Sequence, residues 1–244
     1  MIELNNKKIL ISGASGFIGR QIAITLSRLG ASVILSGKNK EKLYETLSLM
    51  KEGNHHIIPF DVCEIEATKD FMKSIVEIDN QKLSGLVYST GIFPLRPLKS
   101  VNYEHMQEIM LINFYGFIEM VKNFSDKRIS LGGSIVALSS YASTNGDKGQ
   151  LAYSATKGAI DSSIIVLAKE LFSKNIRINS IRPAALINDG VDINSLPESI
   201  MESIDSMKTG PISPNNIAEQ IAFLLSDCST KITGNCFNVK GYLE

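Results

Sequence analysis

The sequence has little cysteine, little histidine and no excess of either charge. Its three cysteines are too few and too scattered for a disulfide framework, and no spacing resembles paired metal ligands, so we expect no metal site. Lys and Arg together number 25, and Asp and Glu also number 25. This balance predicts neither a nucleic-acid partner nor a membrane surface. The three histidines predict loop or surface positions: His55, His56 and His105.

Long apolar runs are also missing, since none approaches the roughly 20 residues that a membrane span needs. The N-terminus lacks a charged-then-apolar signal pattern. We therefore expect a cytoplasmic protein in a reducing compartment. The 244 residues, 44% of them hydrophobic, predict a single α/β domain over 1–244 with a large core.

Short β-branched runs alternate with helical patterns along the chain. The predicted strands are Lys8–Ser12, Ser32–Ser36, His56–Phe60, Gly85–Ser89, Ser134–Ser139, Ile176–Ile181 and Cys236–Val239. The predicted helices are Phe17–Leu29, Lys40–Lys51, Ile65–Val76, Tyr103–Asn123, Ala152–Ser173 and Asn215–Ser226. Strands separated by helices pair in parallel through right-handed crossovers. The pattern predicts a seven-stranded, parallel, doubly wound sheet with helices on both faces, a Rossmann fold.

A glycine-rich turn joins the first strand to the first helix. Gly13, Gly16 and Gly19 follow a strand and open a helix, which is the context that a dinucleotide-binding turn requires. Glycine allows close approach of the backbone to a pyrophosphate, and the helix N-terminus attracts its charge. The turn predicts dinucleotide binding.

The residues after strands two and three bear on the choice of coenzyme. NAD sites usually place a carboxylate after the second strand, but no acid occurs there before Glu41. Lys38 suits a 2′-phosphate, although a solvated turn lysine is the alternative. The sequence thus favours NADP(H) over NAD(H). Asp61 fits an acceptor for the adenine amino group and, equally, an N-cap for the following helix.

Tyr153 and Lys157 begin a long helix, four residues apart and so on one face. Tyrosine has an ordinary pKa of about 10 and exchanges protons poorly at neutral pH. A neighbouring ammonium stabilises the phenolate and lowers that pKa. The pair predicts proton transfer to or from a substrate oxygen.

Two further polar residues are candidates for the same site. Ser140 ends the fifth strand, where a hydroxyl can bond the substrate oxygen beside Tyr153. Asn113 lies within a long helix, where asparagine is a mediocre helix former. It can bind backbone, bind a water linking Lys157 to solvent, or simply face solvent.

Taken together, these residues resemble the short-chain dehydrogenase/reductase family, including its 3-oxoacyl carrier-protein reductases, over nearly the whole chain. Further matches are Arg177–Pro183 and the ending from Ile217. The resemblance implies that Ser140 polarises a carbonyl, Tyr153 is the acid/base, Lys157 also binds the nicotinamide ribose and Asn113 holds a relay water. It implies a homotetramer or homodimer packed through the helices of Asn113 and Tyr153. It implies a coenzyme site of Gly13, Ser15, Gly16, Phe17, Ile18, Gly19, Lys38, Asp61, Val62, Ser89, Gly91, Tyr153, Lys157 and Pro183.

The chain departs from the family pattern at three places. Phe17 stands where the second glycine is usual, and Tyr88-Ser89-Thr90-Gly91 replaces Asn-Asn-Ala-Gly, so the floor of the site loses an amide. Ala184 replaces a glycine, and Lys240-Gly241-Tyr242 replaces an acidic ending. These departures favour, as an alternative to an enzyme, a catalytically silent coenzyme-binding sensor or scaffold.

The segment 184–211 is expected to form the lid over the substrate. It contains five acids, Asp189, Asp192, Glu198, Glu202 and Asp205, against Lys208. Such a lid attracts an anionic acyl carrier poorly, unless its charges face solvent. Phe93, Pro94, Leu95 and Pro97 supply an apolar wall or pack within their loop. The substrate is expected to be a small ketone or alcohol, with 3-oxoacyl thioesters and keto-sugars both open.

Overall fold

The computed structural model of the protein describes residues 2–186 and 212–241. In these residues seven strands form one sheet: β1 Lys8–Ser12, β2 Ser32–Ser36, β3 His56–Ile57, β4 Leu83–Tyr88, β5 Ser130–Leu138, β6 Ile176–Pro183 and β7 Cys236–Val239. All neighbouring strands are parallel, and their order is β3-β2-β1-β4-β5-β6-β7. The predicted seven-stranded parallel sheet is confirmed.

Seven α-helices accompany the sheet in the described residues: α1 Phe17–Arg28, α2 Lys40–Ser48, α3 Thr68–Glu77, α4 Tyr103–Met110, α5 Gly116–Phe124, α6 Leu151–Leu171 and α7 Pro214–Leu225. A π-helical turn, Leu111–Tyr115, joins α4 to α5. Short 3₁₀ turns occur at Ile65–Ala67, Leu98–Ser100, Tyr141–Ser143, Phe172–Lys174 and Asp227–Ser229. No helix among the described residues is long and apolar enough to cross a membrane.

Two hydrophobic clusters lie on opposite faces of the sheet, because successive strand side chains point to opposite sides. Ile9 and Ile11 of β1 pack in the cluster that contains α1 and α7, whereas Leu10 packs in the cluster that contains α3, α5 and α6. β1 is buried along its whole length. Helices therefore cover both faces, as the doubly wound prediction required.

The winding of the sheet reverses at β1, which pairs with β2 on one side and with β4 on the other. Ser12 and Tyr88, the last residues of β1 and β4, are partners in register. Ligands of such sheets bind beyond the carboxyl ends of the strands at the reversal. The turns that follow Ser12 and Tyr88 are therefore the place where a site is expected.

Several predicted boundaries were wrong. The predicted strand to Phe60 ends at Ile57, although the Ile58 and Phe60 N–H groups still donate to the Leu35 and Gly37 carbonyls. β5 begins four residues before the predicted Ser134, at Ser130. Gly132 and Gly133 adopt positive φ there, and the pairing register shifts. The single helix predicted from Tyr103 to Asn123 is divided by the π-helical turn.

The predicted lid falls largely beyond the described part of the chain. Ala184, Ala185 and Leu186 are described, whereas 187–211, with the five acids and Lys208, lie outside the described residues. Leu186 forms an isolated parallel bridge with Ile212, so the two ends of the segment lie side by side.

Candidate active site

The glycine-rich turn leaves backbone exposed where a phosphate would approach. Gly13 has φ +86°, and a Cβ there would lie 2.7 Å from the Thr90 nitrogen. A Cβ on Gly19 would collide with the Gly13 carbonyl. Gly16 is the N-cap of α1, with no side-chain cap and no acid in the first turn. The N-terminal N–H groups of α1 therefore face the turn without a competing anion, which fits a pyrophosphate.

Hydroxyl groups hold the segment after β4 in place of the missing amide. The Ser89 hydroxyl donates to the Ser12 carbonyl at 2.7 Å, and the Ser89 N–H donates to the same oxygen at 2.9 Å. The Ser12 and Thr90 hydroxyls bond each other at 2.7 Å. The ends of β1 and β4 are thus joined by three hydrogen bonds, and the departure from the family pattern is compensated locally.

Tyr153 and Lys157 lie in the first two turns of α6 and line one cleft together with Ser140. The Lys157 side chain is buried, with its ammonium 5.5 Å from the centre of the Tyr153 ring and donating to the Leu138 carbonyl at 2.7 Å. Burial lowers the pKa of Lys157 to about 8, and the negative charge of Asp161 opposes this shift.

The pKa of Tyr153 differs from the expectation drawn from the sequence. Burial raises it, and a hydrogen bond with the Ser140 side chain only partly opposes the rise. The predicted lowering by Lys157 is therefore wrong for this arrangement, because the ammonium is directed to the Leu138 carbonyl. A raised pKa keeps the phenol protonated at neutral pH, and it also makes the phenol a weaker acid than a free tyrosine.

Ser140 follows β5 and caps the short turn Tyr141–Ser143, where its hydroxyl accepts from the Ala142 N–H at 3.1 Å. Its backbone is extended, which directs the side chain toward the cleft that it lines with Ser139. Ser139 is buried and donates to the Lys157 carbonyl at 3.3 Å. The predicted position of Ser140 beside Tyr153 agrees with the structure.

Asn113 is fully buried in the π-helical turn and does not line the cleft. Its side-chain oxygen accepts from the Ile92 N–H at 2.9 Å, and its amide donates to the Ile92 carbonyl at 3.1 Å and to the Thr156 hydroxyl at 3.0 Å. Of the three alternatives, backbone binding is the one observed. These bonds occupy both N–H groups of the amide and one of the two lone pairs of its oxygen.

The cleft has a volume of about 270 Å³ and is bounded by the turns after β1, β4, β5 and β6. Phe93 packs its ring edge-to-face on Tyr153, with ring centres 4.5 Å apart. Phe93 is about half exposed and lines the cleft as an apolar wall, whereas Pro94, Leu95 and Pro97, predicted with it, do not line the cleft. Gly91 lies beneath, where a Cβ would come within 3.5 Å of the Lys157 ammonium.

A second, polar cleft of about 400 Å³ continues from Gly16 and Phe17 around the N-terminus of α1. Its other lining residues are Ser15, Arg20, Gln21, Lys42, Glu45 and Pro214. Arg20 pairs with Glu45 at 2.8 Å.

Lys38 lies at the exposed end of β2 and forms an ion pair with Asp61, at 2.8 Å. The hydrogen bond from Lys38 lowers the pKa of Asp61, and the same bond raises that of Lys38. The other oxygen of Asp61 accepts from the Cys63 N–H at 3.0 Å, which closes a turn. Asp61 is therefore not the N-cap of a helix, which was one of its two predicted roles.

The structure brings together most of the predicted residues. The first cleft is lined by Gly16, Phe17, Ile18, Gly19, Ser89, Gly91, Ser140, Tyr153, Lys157 and Pro183, and the second by Ser15, Gly16 and Phe17. Gly13, Lys38, Asp61 and Asn113 line neither, and Val62 is buried in the core. Ile92 and Thr156, the partners of Asn113, were not predicted. Only the position of Thr156 beside Lys157 in the sequence pointed to it.

No group of three or more His, Cys, Asp or Glu side chains among the described residues could hold a metal ion. The cysteines Cys63, Cys228 and Cys236 are free.

Comparison with known proteins agrees with this site. The family described as enoyl-(acyl carrier protein) reductase matches residues 13–242. A 3-oxoacyl-[acyl-carrier-protein] reductase of Rickettsia conorii is 33% identical over 248 residues, which cover 99% of this chain and 98% of that protein. An L-xylulose reductase of Caenorhabditis elegans is 31% identical over 248 residues, covering 98% and 96%.

Solved structures show the same fold. A dehydrogenase/reductase of Sinorhizobium meliloti 1021 superposes with a TM-score of 0.89 at 27% identity, covering 98% of this chain and 96% of that chain. A short-chain type dehydrogenase/reductase of Mycobacterium ulcerans gives 0.87 at 27% identity, covering 98% and 90%. The chain belongs to the short-chain dehydrogenase/reductase family. It is an oxidoreductase of the kind that interconverts ketones and alcohols, and its family implies a nicotinamide coenzyme.

Proposed function

We propose that the protein reduces a small ketone to a secondary alcohol, with Tyr153 donating the proton and Ser140 polarising the carbonyl. The observation that carries this proposal is that Ser140, Tyr153 and Lys157 line one cleft, with the Lys157 ammonium 5.5 Å from the centre of the Tyr153 ring. A binding protein without turnover has no need of this arrangement, so the enzyme is favoured over a silent sensor.

Each residue contributes one step to the proposed reaction. The Ser140 hydroxyl donates a hydrogen bond to the carbonyl oxygen, which makes the carbon more electrophilic. Bound coenzyme supplies the hydride to that carbon. The Tyr153 hydroxyl passes its proton to the oxygen as negative charge develops there. To stabilise the phenolate that remains, the Lys157 ammonium would turn from the Leu138 carbonyl toward the Tyr153 oxygen and stay there until a proton returns from solvent.

The coenzyme is proposed to be NADP(H), bound along the two connected clefts. Gly13, Ser15, Gly16, Phe17, Ile18 and Gly19 would surround its phosphates, and Ser89, Gly91, Tyr153, Lys157 and Pro183 its nicotinamide end. Lys38 would leave Asp61 to meet a 2′-phosphate, and Asp61 would then accept from the adenine. Val62 would contribute only backbone, because its side chain packs in the core.

The coenzyme assignment is tested by titrating purified protein with NADPH and with NADH. We expect tighter binding of NADPH, and Lys38→Gln should remove most of the difference while leaving NADH binding almost unchanged. Lys73→Gln on the outer face of α3 is a matched control. Equal affinities in the unmodified protein would overturn the NADP(H) assignment.

The substrate is proposed to present its ketone between Ser140 and Tyr153, with an apolar group against Phe93. One relative named above acts on a 3-oxoacyl carrier protein and the other on L-xylulose. Both substrates contain a ketone, but the groups attached to that ketone differ. A panel of 3-oxoacyl thioesters, keto-sugars and simple ketones with NADPH distinguishes these classes.

Homo-oligomerisation through α4 and α6 is proposed from their exposed apolar residues. Tyr103 of α4 and Ile165 and Val166 of α6 are each more than half exposed. Sedimentation equilibrium should give a dimer or tetramer, and Val166→Asp should shift it toward monomer.

We further propose that residues 1–244 form one domain with 184–211 as its lid.

Tyr153→Phe tests the mechanism. It should lower kcat roughly 10²- to 10⁴-fold, the usual contribution of a general acid, while NADPH affinity changes little. Tyr44→Phe, on the exposed surface of α2, is the matched control and should retain full activity. Unchanged turnover in Tyr153→Phe would exclude the proposed proton donor.

A further inference from the structure

A buried carboxylate lies one helical turn beyond Lys157. Asp161 is 5% exposed and follows Tyr153 and Lys157 at the same four-residue spacing, so the three side chains share one face of α6. One Asp161 oxygen accepts from the Arg182 Nε at 2.7 Å, and the other accepts from the Ser180 hydroxyl at 2.8 Å. The row therefore contains the Tyr153 phenol, the Lys157 ammonium and the Asp161 carboxylate. The Arg182 guanidinium binds the carboxylate at its end.

Packing between α6 and β6 does not by itself explain this ion pair. Removing a carboxylate and a guanidinium from water is unfavourable, and apolar residues of similar volume often stabilise a fold equally well. The pair is also placed at the site, since Arg182 directly precedes Pro183, which lines the cleft. An electrostatic effect on the neighbouring ammonium accounts for both observations.

Lys157 is a group on which such an effect would be large. Its side chain is 4% exposed and its ammonium has the Leu138 carbonyl as a neutral acceptor, so water screens its charge poorly. Burial lowers the pKa of Lys157 to about 8, and Asp161 supplies the opposing negative charge. The ammonium is thus close to losing its proton in the physiological range.

Other ionisable groups occur on the elements that pack against α6. They are Tyr103, Glu104, His105 and Glu108 of α4, Tyr115 of the π-helical turn, Tyr141 after β5, Lys174 after α6, and Arg177 and Arg182 of β6. Cys236 of β7 also approaches, with its sulfur 3.7 Å from the Asp161 carbonyl. Among the acids of the described residues, Asp161 is the one whose negative charge raises the pKa of Lys157.

We propose that Asp161, held by Arg182, keeps the buried Lys157 ammonium charged and so sets the upper pH limit of the reaction. Asp161 is a positioning residue, because it acts through Lys157 and does not itself line the cleft. The electrostatic part stands without the proposed function, whereas its catalytic consequence rests on that function.

The proposal predicts opposite effects for the two members of the pair. Asp161→Asn removes a negative charge near the ammonium, so the pKa of Lys157 should fall below about 8. The new amide can still accept from Arg182 and donate to the Ser180 hydroxyl, so the hydrogen bonds survive. Arg182→Gln removes the cation that offsets Asp161, so the pKa of Lys157 should rise.

The pKa is measured directly by NMR on full-length protein labelled with ¹³C at lysine. The Lys157 signal is identified by its absence from Lys157→Met and followed across roughly pH 6–11. Ser180→Ala is the matched control, because it removes a hydrogen bond of Asp161 without changing any charge. Its Lys157 signal should titrate as in the unmodified protein.

Equal titration of Lys157 in the unmodified protein and in Asp161→Asn would overturn the proposal. A shift of the Lys157 pKa in the same direction in Asp161→Asn and Arg182→Gln would also overturn it. Such a result would indicate a loosened structure and not an electrostatic effect. Where one variant fails to fold, the other still tests the sign.

Kinetics separate this proposal from the proposed function. The pH at which kcat/KM for ketone reduction declines should move down in Asp161→Asn and up in Arg182→Gln, following the NMR values. Shifts by NMR without turnover of any ketone would support the electrostatic proposal and contradict the proposed function. The opposite outcome is that Tyr153→Phe abolishes turnover while the unmodified protein, Asp161→Asn and Arg182→Gln all lose activity at the same pH. It would support the proposed function and contradict the electrostatic proposal.

Discussion

The buried amide of Asn113 offers a quantitative test of how the loop after β4 is held. Asn113→Ala removes three hydrogen bonds, two to the Ile92 backbone and one to the Thr156 hydroxyl. Each such bond contributes about 1 kcal/mol net, so the variant should lose about 3 kcal/mol of unfolding free energy. Thr156 keeps its own bond to the Tyr153 carbonyl at 2.7 Å, which limits further loss.

For a chain of this size, 3 kcal/mol corresponds to a fall in Tm of about 6–12 °C. The measurement is urea unfolding followed by circular dichroism, together with a thermal scan. Turnover should fall as well, because Gly91, next to Ile92, forms the floor of the cleft beside Lys157.

Asn123→Ala is the matched control for this experiment. Asn123 lies on α5 and bonds only within its own helix, to the Glu119 backbone and carboxylate at 2.9 Å. Its replacement should cost less than about 1 kcal/mol. If Asn113→Ala were no less stable than Asn123→Ala, the conclusion that the Asn113 side chain holds the loop after β4 would be refuted.

Three further predictions concern glycine geometry and the buried ammonium. Gly13→Ala should weaken NADPH binding at least about tenfold, measured by fluorescence titration, because φ +86° and the contact with Thr90 both oppose a side chain; normal binding would show that the turn adapts. Gly158→Ala should instead raise stability by about 0.5–1 kcal/mol, since a Cβ there meets only a carbonyl at 3.9 Å, and a loss on urea unfolding would contradict this reading. The pKa of Lys157 falls from 10.5 in the unfolded chain to about 8 in the fold, so protons are lost first from the folded state. Stability relative to Lys157→Met should therefore increase as the pH rises between these values, and a decrease would reverse the assigned shift.

The sheet could be predicted because its signals are local. β-branched runs ended by glycine or polar residues mark β1, β2, β4 and β6, and alternation with helices requires parallel pairing. The residues Ser140 and Tyr153 were predictable for a related reason, since parallel strands bring their carboxyl ends to one edge.

Features that depend on contacts between distant segments could not be predicted. The π-helical turn coincides with a hydrogen bond from the buried Tyr88 hydroxyl to the Ile112 carbonyl and with the bonds of Asn113. Neither partner is close in sequence. The pairing of Asp161 with Arg182 likewise appears only when α6 packs on β6. The direction of the Tyr153 pKa shift was missed because spacing alone does not report burial.

The strand order also has a consequence for synthesis on the ribosome. When residues up to Ile57 have emerged, the nascent chain can assemble β3, β2 and β1, but β1 then lies at the edge of the sheet with its backbone unpaired. Its sequence is entirely apolar apart from its two ends, and an open apolar edge recruits strands from other chains. The hazard ends only when β4 emerges and docks, about thirty residues later, so translation of the segment between β3 and β4 is the interval in which a chaperone would matter most.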